Sequence, residues 1–72
     1  MTILNEILFM ETRLFSLFCE RTKIDPQKAD NMFKSYGIWD YIENCYYSLH
    51  LDGDETIYND IISILRNKEV KI

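Results

Sequence analysis

Residues 3–18 read ILNEILFMETRLFSLF, and the spacing of apolar side chains in that stretch predicts a helix. Ile3, Ile7, Met10, Leu14 and Leu17 recur at alternating steps of four and three, the repeat that lines one face of a helix turning every 3.6 residues. Leu4, Leu8, Phe15 and Phe18 follow the same rhythm one place along, interrupted only by Glu11. One such seam buries one helix face against one neighbour. Two seams predict a helix that meets its own core on one side and a second protein on the other.

Outward from this helix, which should span about residues 2–22, the next signal is Asp25-Pro26. A carboxylate at the N-cap and a proline at the first helical position start a second helix, over 26–36. Ala29, Met32, Phe33 and Tyr36 form its inward side, and Ile24 can staple the entry against Ala29. Gly37 is the expected stop, in the left-handed conformation of a Schellman ending, with Phe33 and Ile38 as the pair that touches. A third helix, 40–51, should be capped by Asp40 with Glu43 reaching back, and ended by Gly53. Asp54, Glu55 and Thr56 read as an acidic connection. The last helix, 59–68, should bury Ile61, Ile62 and Leu65, with Ile57 packed just before it and the final residues frayed. No segment alternates long enough for a strand. The expectation is one all-α domain over residues 1–72, a small bundle of about four helices.

Composition narrows the class. The chain has 72 residues, 47% of them hydrophobic, with two glycines and one proline, so most of it is available for regular structure. A domain this short buries only about 60% of the surface its unfolded chain exposes, which makes a partner chain an expected source of stability. Net charge is −4 with no cluster of Lys or Arg, which argues against a nucleic-acid-binding face. The leading apolar stretch contains Glu6 and Glu11, is too short to cross a bilayer and lacks the basic start of a secretion signal. A cytoplasmic protein with reduced thiols at Cys19 and Cys45 is the expectation, with no membrane association.

Sites for chemistry are scarce. His50 is the single histidine and falls in the last turn of the third predicted helix, where a partial positive charge favours the carbonyl end. Cys19, Cys45 and His50 match no zinc spacing, and the run Asp52, Asp54, Glu55 stops short of a calcium loop. There is no phosphate loop and no serine elbow. No catalytic, cofactor-binding or metal-ligating residue is assigned, and no enzyme or cofactor is expected. The aromatics carry more information: Trp39, Glu43, Tyr47 and His50 fall on one side of the third helix. Two readings stand side by side there, a lid on the small core and a contact patch of the kind that Trp and Tyr supply to interfaces.

The pattern Phe33, Tyr36-Gly37, Asp40-Tyr41-Ile42, Cys45-Tyr46, Leu49-His50, Gly53, Glu55, Ile57 and Asp60-Ile61 resembles a small bacterial family of uncharacterised all-α domains about seventy residues long. The likeness is close over half of the chain; upstream, from Phe15 through Glu20, it lies only in apolar rhythm. Trp39, Cys19 and the Asp25-Pro26 start depart from the pattern. Members of that family are often encoded beside proteins that look like ADP-ribosyltransferase toxins. The resemblance therefore implies an antitoxin or accessory subunit for such a neighbour, and carries no catalytic residue with it. Most matched positions read as structure. His50 and Glu55 are the polar exceptions, able to bond each other across the turn at 51–54 or to face a partner.

The function expected is thus a non-catalytic protein-binding domain. Its contact residues are Ile3, Met10 and Leu17 on one stripe, Trp39 and Tyr47, and the polar pair His50 and Glu55. A homo-oligomer, with leading helices packed across a two-fold axis, is the alternative and can coexist with the first. A DNA-binding autorepressor needs a basic helix, and the candidate, with Lys28 and Lys34, is offset by Asp25 and Asp30.

Overall fold

Among the described residues of the computed structural model, five helices follow one another: α1 (Ile3–Thr22), α2 (Pro26–Ser35), α3 (Ile38–Asn44), α4 (Tyr46–Leu49) and α5 (Asp54–Asn67). The structure describes the backbone of residues 3–49 and 51–72, and the side chains of residues 5–48 and 51–72. The domain is all-α, a small bundle, as the apolar spacing requires. At 1.5 Å per residue the twenty residues of α1 make a rod about 30 Å long, which sets the longest dimension of a 36 × 21 × 20 Å body. α2, α3 and α5 all pack against this rod.

The interior is one cluster. Met10, Leu14 and Phe18 of α1 meet Phe33 of α2, Ile38 and Ile42 of α3, Tyr46 of α4, and Ile57, Ile61 and Leu65 of α5. Both predicted stripes of α1 contribute: Met10 and Leu14 come from the first, Phe18 from the second. Ile7, Phe15 and Leu17 are half-buried. This corrects the division of the two stripes between self and partner. Seams one residue apart are separated by only about 100° on a helix of 3.6 residues per turn. They form one broad wedge, whose middle, at Met10, Leu14 and Phe18, the surrounding helices cover. Met10, expected at a partner interface, is 3% exposed.

Helix ends account for the chain path. Asp25 caps α2, its carboxylate accepting from the Gln27 N–H at 3.1 Å, with Pro26 at the first helical position. Gly37 stands left-handed at φ 71°, donating its N–H to the Lys34 carbonyl, one of the two bonds of a Schellman ending. Ile38 then turns straight into the core. α3 consequently begins at Ile38, two residues before the predicted Asp40 cap; Asp40 lies inside the first turn, where its charge still favours the amide end.

Two further boundaries differ from expectation. The predicted third helix breaks at Cys45, with no glycine or proline there, and the single-residue pause swings Tyr46 inward so that its hydroxyl donates to Glu6 Oε2 of α1 at 3.1 Å. α5 starts at Asp54 instead of Asn59, with Gly53 as its extended N-cap residue. The acidic run is its first turn. Asp54 and Glu55 sit at the amide end of α5 and pair with Arg13 and Arg21 of α1, while Ile57 packs into the core from within the helix.

The tail does not fray. Glu69 adopts φ 64°, and the bonds Glu69 N–H to Arg66 carbonyl and Val70 N–H to Leu65 carbonyl complete a Schellman motif. Val70 and Ile72 then pack against the core. A side chain added at Gly37 meets nothing within 4 Å, so its cost is purely conformational. Gly37→Ala should lower stability by about 1–2 kcal/mol, the penalty of a left-handed L-residue. Glu69→Gly should raise it by less than that, because glycine also loosens the unfolded chain. Urea denaturation of both variants checks the opposite signs; a neutral Gly37→Ala contradicts the assignment of strain.

Candidate binding face on the first helix

Phe33 sits at the centre of the packing between α1, α2 and α3. Phe18 lies 5.0 Å from it, Phe15 meets it edge-on at 5.4 Å, and Trp39 at 4.9 Å. Trp39 also stacks on Phe15, with centroids 5.4 Å apart and planes 29° from parallel. Its indole N–H donates to Asp30 Oδ1 of α2 at 3.1 Å, so the one polar atom of the ring is satisfied at the margin. Asp30, accepting from Lys34 and Trp39, is held below the usual carboxylate range. Trp39 lies over the core as a lid, half-buried, with part of its ring left at the surface.

Beyond this lid, α1 and α3 leave an open groove of about 480 Å³ lined by Leu8, Glu11, Thr12, Phe15, Ser16, Trp39 and Glu43. Glu11, which interrupts the second stripe in the sequence, lies here at only 8% exposure. Its position follows from the helical register: four residues before Phe15 and three after Leu8, it shares their side of α1. Burial raises its pKa above the ordinary 4.5, and the neighbouring Glu43 carboxyl, through charge and a hydrogen bond, raises it further. Leu8 at the groove's edge is 52% exposed, and the adjoining Phe9 is 55% exposed. Phe9 borders a second depression with Glu6, Met10, Arg13, Tyr46 and Asp52.

The opposite flank of α1 is fastened by charge. Arg13 Nε donates to Asp54 Oδ2 at 3.1 Å, and Arg21 bonds Glu55 while its guanidinium lies 5.0 Å from the Tyr58 ring centroid. The Arg21 bond holds the Glu55 carboxyl below its ordinary value. Leu17 lines a shallow depression among these groups, with Arg13, Glu20, Asp54 and Glu55.

The predicted contact residues therefore do not form one patch. Met10 is core and Leu17 belongs to the α1–α5 flank. Glu55 is taken by Arg21, and Trp39 turns inward onto Phe15 and Phe33. Tyr47 is 71% exposed beside Tyr46, with ring centroids 6.0 Å apart. The Ile3 side chain and His50 lie outside the described residues. Sequence reasoning missed Phe9 and gave no role to Glu11 with Glu43. The signal for Phe9 was present: it is a large apolar residue that fits neither stripe, placed opposite the core.

Residues 10–68 match the model of a family described as protein of unknown function, DUF3791. The chain belongs to that family. The matched segment runs from Met10 of the core through the end of α5, so it includes Glu11, Trp39 and Glu43 of the groove and stops just short of Leu8 and Phe9. No curated protein and no solved structure matches the chain. No cluster of three or more metal-ligating side chains occurs among the described residues, and no helix there is long and apolar enough to cross a membrane.

The elevated pKa of Glu11 has a defined consequence for stability. The folded chain binds the proton more tightly than the unfolded chain, so the penalty for charged Glu11 is full above its folded-state value and disappears below 4.5. Glu11→Gln should melt above the parent at neutral pH, and the gap should close on acidification toward 4.5. Thermal melts across that range test it; a gap that does not change with pH contradicts it.

Proposed function

We propose that this chain is a non-catalytic protein-binding domain whose contact surface is the outer face of α1 around Leu8 and Phe9. The partner implied by the sequence resemblance is an ADP-ribosyltransferase-like toxin encoded nearby, toward which the domain acts as antitoxin or accessory subunit. The observation that carries the reading is the exposure of two consecutive large apolar residues, Leu8 at 52% and Phe9 at 55%, on the helix that organises the whole fold. Isolated apolar residues on a surface are ordinary, whereas adjoining ones beside an apolar groove favour contact with another protein. The physical logic is mass action. A partner that binds only the folded state adds about 2.7 kcal/mol of stability at a concentration one hundred times its Kd, a large share for so small a domain.

A homodimer built on the same face is the second reading, since the same exposed pair can serve a two-fold contact. Co-expression with the product of the adjacent gene, and purification through a single tag, tests the first. A stoichiometric complex is expected, and Leu8→Asp with Phe9→Asp should weaken it by about thirtyfold or more while leaving helical content unchanged. Failure to co-purify removes the proposed partner. Retention by the doubly substituted chain removes the proposed surface. A dimer in sedimentation that ignores the neighbour, and dissociates on the same substitutions, supports the homodimer.

A further inference from the structure

We infer that the groove between α1 and α3 receives a lysine or arginine side chain from an amphipathic helix of a partner protein, its methylenes against Phe15 and Trp39 and its charge on Glu11 and Glu43. This rests on the reading of α1 as a docking face and names the chemistry of what docks there. The groove is lined by two carboxylates and by no cationic residue. Three acids elsewhere are paired with cations: Asp30 with Lys34, Asp54 with Arg13 and Glu55 with Arg21. Glu11 is the most buried acid described, and its charged neighbour is another carboxyl. A buried carboxylate beside a like charge is costly until a cation joins it.

The remaining lining selects the form of that cation. Phe15 and the Trp39 ring offer apolar surface, which suits the hydrocarbon stem of Lys or Arg, and an indole face adds attraction for the charged head. Leu8 at the rim and Phe9 beyond it add exposed apolar surface next to the charge, the combination that an amphipathic helix laid along α1 would use. A second copy of this chain presenting the same face would bring two Glu11–Glu43 pairs toward each other, which disfavours self-association through the groove.

Trp39 is the single tryptophan and lines the groove, so its emission reports occupancy directly. Three tryptophan-free synthetic peptides serve as probes: an amphipathic leucine–lysine helix, the same peptide with its lysines acetylated, and a lysine–serine peptide of equal charge. The leucine–lysine helix should shift Trp39 emission and bind about tenfold or more tightly than its acetylated form. That preference should vanish in Glu11→Gln and fall in Glu43→Gln, a change at an exposed side chain that spares the fold. Equal binding of the acetylated peptide overturns the cation seat and leaves the α1 docking face standing. Equal binding of the lysine–serine peptide, or no emission change with any probe, overturns the inference. So does concentration-dependent Trp39 emission in the pure chain that tracks dimer formation in sedimentation. The reading of the face itself fails separately, by partner capture that ignores Leu8→Asp and Phe9→Asp.

Discussion

Burial of the broad apolar wedge of α1 is the constraint on which the other helices depend. Met10, Leu14 and Phe18 are almost wholly withdrawn from solvent, and α2, α3 and α5 each bring apolar side chains to them. Helices as short as α2, α3 and α5 are marginal alone in water, and α3 is the shortest of these three. Their persistence comes from the common contact with α1, densest where Phe15, Phe18, Phe33 and Trp39 interlock. Aromatic pairs of this kind add about 0.5–1.5 kcal/mol each beyond their buried area. In a domain with so small a core, that is a substantial fraction of the whole.

Polar interactions do a different job. Arg13–Asp54 and Arg21–Glu55 join α1 to the first turn of α5, and Trp39–Asp30 joins α3 to α2. These groups are solvent-facing or half-buried, so they add little to stability by themselves. They fix which residue of one helix lies beside which residue of the next. Among the described residues, three helix ends close on left-handed residues, at Lys23, Gly37 and Glu69, and only one of these is glycine. The chain accepts local strain at Lys23 and Glu69 to bring α2 and the tail back onto the core.

The proposed binding face is the part of α1 that this arrangement leaves uncovered. α1 is longer than the helices around it, and Leu8 and Phe9 project from it toward solvent. The groove beside them retains Glu11 at a position where the apolar rhythm would place a hydrophobic residue. A helix that needed only to fold would gain by replacing that carboxylate, which gives the departure from the pattern its functional interest.

How much of this was legible beforehand depends on the kind of signal. Periodicity in residues 3–18, the Asp25-Pro26 cap and Gly37 stated the helical class, the start of α2 and its end, because those features act through local backbone geometry and helix register. Glu11 was visible as an interruption but its burial was not, since burial depends on α3 crossing α1 at that point. The break at Cys45 has no glycine or proline to mark it, and the early start of α5 has only Gly53; at each, a long-range bond joins the segment to α1, Tyr46 to Glu6 and Asp54 to Arg13. The sequence by itself determined that the chain is all-α and which residues are apolar enough to be buried. Only tertiary structure decided that the core draws on both stripes of α1 while Leu8 and Phe9 stay outside it, because exposure is a property of the neighbours a helix acquires, and those neighbours lie far away along the chain.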